Sequence, residues 1–377
     1  MPLVLTDEQQ MLQESAAGFL SEQGVKELRR VRDSRDETGF SRDLWKAFAD
    51  MGFTGILAPE AFGGLGLGHV EAGVVMEEIG RNLTPSPFLS TAILGVTALK
   101  HAGDDRQGEY IPRIVAGDLI TALAVDEGAK HGPARTAMAA TRSGNGFKLD
   151  GAKGFVVDGH VADLMIVAAR TAGAPGEEAG LTLFVVDPKA RGVSIERTVM
   201  VDAHNAARIE FEGVEVDADA VLGEVDGGYK LLEGVLNAGR AAVASEMVGV
   251  GDEAFTRTVD YLKQRQQFGR LIGEFQALQH RSAHLWSELE VTKAAVLKAL
   301  QMLDEAPEAA APYVSVAKAR AGRTCTLAVQ EAVQMFGGIG MTDEVDVGLF
   351  MKRGRVGQEL FGDDNFHADR IARMASY

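Results

Sequence analysis

The sequence holds a single cysteine, Cys325, so no intrachain disulfide can form and nothing in the thiol content points to secretion. Cys325 sits in a helical pattern among Thr324, Thr326 and Leu327, which reads as a small buried hydrophobe rather than a reactive thiol. Positive charge is also short: 38 Lys and Arg stand against 54 Asp and Glu, a net charge of -16. That balance argues against nucleic acid or an anionic membrane as the main partner. An acidic ligand would need local basic residues, because the global field opposes it. No apolar run reaches the length of a bilayer span. No basic-plus-apolar leader opens the chain; Met1 to Leu5 runs into Thr6-Asp-Glu-Gln9, a capping-box helix start. There is no internal repeat, no low-complexity tract and no Cys/His cluster for a metal. A soluble, cytoplasmic protein without a metal site is expected.

What is present suffices for two or three domains: 377 residues at a mean hydropathy of -0.01. Residues 6 to about 118 carry helical periodicity. Met11, Leu12, Ala16 and Leu20 supply one apolar face, and residues 22–37 read as a charged, solvated stretch. The glycines from Gly63 to Gly68 break the helical pattern. No strand precedes them and no Gly-Lys-Ser/Thr follows, so a tight turn is expected rather than a phosphate cradle. Near Asp118 the period becomes strand-like, with short runs at 119–125, 135–142, 147–149, 154–157, 164–168, 181–186, 193–198 and 207–216. Asn145-Gly146 reads as a two-residue hairpin turn. Many short strands at even spacing suggest a small barrel or sandwich. From about Gly227 helices return in four blocks, 231–264, 274–302, 309–335 and 346–374, the pattern of an antiparallel bundle. The expected fold class is α+β, with an N-terminal helical domain (1–118), a middle β domain (119–226) and a C-terminal four-helix bundle (227–377).

Two stretches carry chemistry. Arg265-Gln-Gln-Phe-Gly-Arg-Leu-Ile-Gly-Glu-Phe-Gln-Ala-Leu-Gln-His280 ends one helical pattern, breaks at Gly269 and Gly273, and opens another. Arg offers a forked donor for phosphate, Phe an apolar face and Gln both a donor and an acceptor, which together suit a flat, anionic ligand. An ordinary interhelical turn, with Arg265 in a surface salt bridge to Glu274, is the plainer alternative. Gln334-Met-Phe-Gly-Gly-Ile-Gly340 closes another helical run, and its glycines either admit a ligand close to the backbone or simply cap the helix.

The two stretches together resemble the acyl-CoA dehydrogenase family of flavoproteins, with its Arg-x-x-Phe-Gly…Phe-Gln and Gln-x-x-Gly-Gly-x-Gly motifs. Ala58-Pro-Glu-Ala-Phe-Gly-Gly-Leu-Gly-Leu67 and Glu77-Glu-Ile-Gly-Arg81 look like two further family segments, so the resemblance covers nearly the whole chain. It implies FAD between the β domain and the bundle, a homotetramer or dimer in which a second subunit closes over the diphosphate, and electron-transfer flavoprotein as the redox partner. Arg265, Phe268, Gln276, Gln334, Gly337 and Gly338 would then hold FAD. Phe155-Val-Val157 stands at the family's Trp/Phe-Ile-Thr/Ser position; Val157 lacks the hydroxyl, leaving its backbone to meet the flavin edge.

The reaction so implied removes an alpha proton from an acyl-CoA thioester while a hydride leaves the beta carbon, and it needs a carboxylate base in a dry pocket. At the two positions where the family carries that Glu, this chain has Phe361 and Gly239. Glu246 is the expected replacement. It follows Gly239 by seven residues on the same helical face, among Ala242, Val243, Gly249 and Val250. Ala244-Ser-Glu-Met-Val-Gly249 and Leu360-Phe-Gly-Asp-Asp-Asn-Phe-His367 resemble the small subunits of pimeloyl-type and steroid-side-chain acyl-CoA dehydrogenases, which implies fatty acid or steroid degradation. A structural carboxylate paired with a bundle Arg or Lys is the other reading of Glu246. Asp364 and His367 stand at helical spacing as an acid-base pair or, on the plainer reading, as a solvated helix end. Asp126 and Glu127 stand where relatives carry a Thr-Glu-Pro loop, but the Gly-Ser-Asp that follows there is replaced by Gly128-Ala-Lys-His-Gly-Pro133. Two rival functions follow from the vacant base positions and the fold: a non-catalytic subunit that completes the FAD site of a homologous partner in a heteromer, and a flavin oxidase or monooxygenase.

Overall fold

The computed structural model describes residues 2–102 and 105–377, the side chains of residues 101–102 excepted. Along the described chain, α1 (Asp7–Ser34), α2 (Arg42–Asp50), α3 (His69–Asn82), α4 (Val96–Ala102) and α5 (Arg106–Val115) come first. The strands are β1 (Thr121–Ala124), β2 (Ala139–Ser143), β3 (Gly146–Val157), β4 (Leu164–Arg170), β5 (Leu181–Val186), β6 (Val193–Val199), β7 (Asn205–Val216) and β8 (Val221–Leu222). Then come α6 (Gly228–Gln264), the minimal hairpin β9 (Gln266–Gln267) and β10 (Arg270–Leu271), α7 (Gln276–Glu305), α8 (Ala311–Phe336), α9 (Val347–Glu359) and α10 (Asp364–Met374). Two compact units result: Met1–Arg30 with His69–Thr84 and Arg240–Tyr377, and Val31–Gly68 with Pro85–Gly239. The helices before residue 118 are thus shared between both units.

In the first unit the capping box is reciprocal. The Thr6 amide donates to Gln9 Oε1 at 3.0 Å, and the Gln9 amide donates to Thr6 Oγ1 at 3.3 Å. The charged stretch after residue 22 is not merely solvated: α1 kinks at Gly24 and buries Val25 and Leu28. Helices α3 and α6 touch backbone to backbone. A Cβ on Gly80 would collide with the Glu246 carbonyl, and one on Gly249 with the Glu77 carbonyl, so both positions need glycine. Leu285, Leu289 and Ala328 form a core between α7 and α8. The last expected block, 346–374, is two helices, because Phe361 (φ 55°) and Gly362 (φ 107°) turn the chain between α9 and α10.

In the second unit the glycine turn is tied to itself. The amides of Gly64, Leu65, Gly66 and Leu67 donate to the carbonyls of Pro59, Gly55, Ala58 and Ile56, so none of these four is left for a phosphate. The strands make one mixed sheet in the order β6-β7-β3-β2-β4-β5-β8, with β1 parallel to β4. The runs expected at 147–149 and 154–157 are one strand, β3. The β2–β3 turn lies one residue earlier than expected. Ser143 pairs with Gly146, so Gly144 and Asn145 are the central residues, and Gly144 alone takes positive φ (57°), the glycine-first arrangement of a type II′ turn. Alternate residues of the strands, with Phe147 and Phe184 edge to face at 5.2 Å, build the core of this sheet. A buried π-helix, Phe88–Gly95, is fastened to β1 by Thr121. No helix of the described residues is long and apolar enough to cross a membrane.

Candidate functional site

Arg265 leaves α6 at its last turn, its amide donating to the Tyr261 carbonyl at 2.9 Å. The chain then folds into the β9–β10 hairpin, whose tip residues Phe268 and Gly269 both take positive φ, 56° and 81°. Glycine does so freely, whereas for phenylalanine this costs about 1–2 kcal/mol. The Phe268 side chain is 90% exposed and meets Phe275 edge to face at 6.1 Å. Arg270 stacks its guanidinium over Phe275 at 4.3 Å. Among the described residues the exposed Arg265 guanidinium has no hydrogen-bond or ion-pair partner, Glu274 included. Gln276, the first residue of α7, is exposed as well.

The second motif ends α8 at the same place. Tyr261 of α6 stacks on Phe336 of α8 with centroids 4.2 Å apart and planes inclined by 12°. Arg281 pairs with Glu331 at 2.6 Å, and Ser282 Oγ lies 3.9 Å from Met335 Sδ. The end of α6, the start of α7 and the end of α8 therefore meet. Gln334, Gly337 and Gly338 are exposed there, and a Cβ on either glycine would meet nothing within 4 Å. Gly337 turns the chain at φ 69°. A free guanidinium, two amide side chains and open glycine backbone are the donor set that a dinucleotide phosphate chain needs.

Glu246 lies among small residues, as expected, but it is not alone. Its Oε1 accepts from Arg353 Nε at 2.6 Å and its Oε2 from Arg353 Nη2 at 2.7 Å, with both side chains buried. This is a bidentate pair between α6 and α9. Nearby, Lys318 of α8 donates Nζ to the carbonyls of Gln358 at 3.1 Å and Gly362 at 3.0 Å, and Arg240 donates Nε to the Phe361 carbonyl at 3.3 Å. Burial, and then the charge of Arg240, hold the Lys318 ammonium down to about 7. Two buried cations thus clamp the turn that carries Phe361. Sequence reasoning missed both anchors, since a Lys or Arg on a helix carries no mark of burial. Burial pushes the Cys325 thiol up to about 12, which makes it inert. His367 corrects an expectation: it is fully buried, while Asp364 pairs with Arg323 at 2.9 Å, so the two are not one solvated end.

In the sheet-bearing unit, the 126–138 loop closes on its own charges. Asp126 accepts from His131 at 2.8 Å and from the Gly132 amide at 3.0 Å. Burial works to raise its carboxyl, but His131, Gly132 and Lys153 hold it below the usual range. Glu127 accepts from the amides of Ala137 and Met138 and from the buried Lys153 at 2.7 Å. Burial lowers Lys153 despite that partner. Val157 ends β3, half-buried. Two residues before it, Phe155 is 60% exposed with φ 50°, next to a register shift against β7.

Known proteins share this architecture. The chain matches the acyl-CoA dehydrogenase N-terminal domain over residues 6–118, the middle domain over 124–214 and the C-terminal domain over 226–376. It is 27% identical to the short/branched chain specific acyl-CoA dehydrogenase of Rattus norvegicus mitochondria, over 98% of this chain and 85% of that protein. It superposes on a chain of the ChsE4-ChsE5 complex from Mycobacterium tuberculosis with a TM-score of 0.90 at 25% identity, covering 100% and 99% of the two chains. A chain of the electron transferring flavoprotein structure from Acidaminococcus fermentans gives a TM-score of 0.88 at 27% identity, covering 100% and 99%.

Proposed function

Because this chain belongs to the acyl-CoA dehydrogenase family, we propose that it oxidises an acyl-CoA thioester to its 2,3-unsaturated product with FAD as cofactor. When bound, FAD supplies the hydride acceptor. The observation that carries the reading is the unpaired Arg265 just past α6 and the open Gly337-Gly338 backbone just past α8, two helix ends that the Tyr261–Phe336 stack brings together. Arg265 would pair with the diphosphate, Phe268 would lie against the adenosine end, Gln276 and Gln334 would donate and accept, and the Val157 backbone would meet the flavin edge. Phe268, strained and exposed at a hairpin tip, suits a contact completed by a second copy. A homotetramer, dimer or heteromer with a homologous chain is part of this reading, supported by the likeness to a chain of the two-component ChsE4-ChsE5 complex. Electron-transfer flavoprotein is the proposed acceptor, supported by the likeness to the Acidaminococcus fermentans structure. Degradation of fatty or steroid side-chain acyl groups and a cytoplasmic location complete it.

The proposed base is Glu246, and the geometry adds a condition: with one lone pair of each oxygen engaged by Arg353, it must take the proton on a lone pair that the guanidinium leaves open. The test is direct. Purified wild-type protein is expected to carry FAD and to bleach with a suitable acyl-CoA. Glu246→Gln is expected to keep FAD while the bleaching rate falls about 100-fold or more, the usual share of a general base. A variant that bleaches at the wild-type rate per bound flavin would remove Glu246 from the mechanism and leave it to the Arg353 pair.

A further inference from the structure

Two uncommon backbone features of the sheet-bearing unit meet at a hydrogen bond. One is the π-helix Phe88–Gly95, buried along its whole length. Such turns sacrifice hydrogen-bond geometry and concentrate at functional sites. The other is the end of β3. Its pairing with β7 shifts register between Lys153 and Val156, and both Phe155 and Asp158 take positive φ, 50° and 57°. Two left-handed non-glycine residues around Val156-Val157 persist only where the surroundings over-determine them.

Ser90, 1% exposed, supplies that restraint. Its hydroxyl lies 2.7 Å from Asp158 Oδ2 and 3.1 Å from the Pro87 carbonyl. With one proton to give, it favours the shorter, charge-assisted bond to the carboxylate. The π-helix is itself located by Thr121, whose amide donates to Thr91 Oγ1 at 3.1 Å and whose hydroxyl donates to the Ser90 carbonyl at 2.8 Å. Beyond Val157 the chain closes a tight turn. The Asp158 amide donates to the Asn205 carbonyl at 3.3 Å, the Gly159 amide to Val156 at 3.1 Å and the Val161 amide to Asp158 at 3.0 Å. The aspartate side chain is the part of this turn that the π-helix grips.

We propose that Ser90 and Asp158 are positioning residues: their bond fixes the Val157 backbone toward the flavin edge and keeps a carboxylate one residue away from it. The inference rests on the flavin reading given above. Where the family places a hydroxyl-bearing side chain, Val157 has none, so the aim of its backbone amide and carbonyl has to be set by the turn that follows. A nearby carboxylate disfavours the extra negative charge of a reduced ring and so lowers the reduction potential.

The experiment compares wild type with Ser90→Ala, Ser90→Thr and Asp158→Asn, in two arms. Hydrogen exchange on the flavin-free protein reads the turn: Ser90→Ala is expected to speed exchange at the Gly159 and Val161 amides by up to about tenfold, the size of one lost hydrogen bond, with Ser90→Thr restoring protection. Dye equilibration of the FAD-loaded protein reads the cofactor: Asp158→Asn is expected to raise the midpoint potential, Ser90→Ala to move it from the wild-type value, and both to shift the visible band, with Ser90→Thr restoring the wild-type readings. Unchanged exchange overturns the positioning role. Faster exchange with an unmoved potential and spectrum overturns its link to the flavin. Wild-type protein that takes up no FAD removes the functional reading itself, and is told apart because the exchange arm needs no cofactor.

Discussion

Glu246 shows what a single side chain discloses before its partner is known. Its neighbours Ala242, Val243 and Gly249 mark it as desolvated, and it is buried. The guanidinium that neutralises it lies 107 positions along the chain, and the spacing of residues on one helix cannot reveal it. Breaking such a pair from one side leaves a buried charge, which costs about 3–5 kcal/mol, whereas removing both charges costs much less. Arg353→Met is therefore expected to lower unfolding stability by about that amount, and Glu246→Gln with Arg353→Met to recover most of it. Denaturant melts of the two singles and the double give the coupling, and additive losses would mean that the pair is not a unit. A second carboxylate responds to pH. Glu77 lines a cavity of about 250 Å³ with Val70, Val74 and Val248, and burial pushes its carboxyl up to about 7 although Arg81 sits 3.0 Å away. The folded state thus keeps a proton that the unfolded chain gives up near the ordinary value of 4.5. Unfolded chains bind fewer protons through that interval, so this group's contribution to stability falls as pH rises from about 4.5 to about 7 and stays low above it. Glu77→Gln should melt higher than wild type at pH 8, with the difference shrinking toward pH 5.

At the scale of elements, glycines had two meanings that the sequence does not separate. Gly80 and Gly249 sit in helices, where glycine costs about 1 kcal/mol against alanine, so propensity alone speaks for replacing them. The structure reverses that judgement, because each faces the other helix's carbonyl where α3 crosses α6. Gly249→Ala and Gly80→Ala are each expected to destabilise by about 3 kcal/mol, since a backbone carbonyl cannot rotate aside as a side chain can. Gly234, a helical glycine with nothing within 4 Å of a built Cβ, is the control and should tolerate alanine. Thermal melts of the three variants decide it, and equal shifts would show that the crossing relaxes. Strand positions were legible from β-branched runs, as at β5, whose bounds 181–186 coincide with the pattern. Connections were less so. The Asn145-Gly146 signal is correct in kind and wrong by one residue, because the register is set by core-facing residues such as Phe147 and Leu149 rather than by the turn. The break at Phe361-Gly362 was missed for a related reason: the left-handed Phe361 is held there by Arg240 and Lys318, both distant in sequence.

At the scale of the whole molecule, the order helices, strands, helices was readable because each period persists over tens of residues. The arrangement of the strands as one mixed sheet was not, since alternation reveals a buried face and not which strand lies beside which. The motif residues were legible in the same partial way. Their order along the chain announced a shared role, but it took the fold, with the Tyr261–Phe336 stack, to bring together the helix ends that carry Arg265 and Gln334. Their setting separates folding from binding. Arg265 makes no side-chain bond among the described residues and Phe268 is 90% exposed, so the fold of one chain draws little from either. Arg265→Ala should therefore leave the melting temperature of flavin-free protein within about 0.5 kcal/mol of wild type in free-energy terms. The same variant should lose FAD on dilution at least tenfold more readily, since a charge-assisted bond to a phosphate contributes about 1.5–3 kcal/mol. With a net charge of -16 the rest of the molecule repels an anionic ligand, so this one cation matters most at low ionic strength, and the gap between variant and wild type should narrow as salt screens both effects. Flavin fluorescence released on dilution, followed across a salt series, measures both quantities. Equal release from the two proteins at every salt concentration would mean that the guanidinium is a solvated surface charge and that the phosphates are held elsewhere.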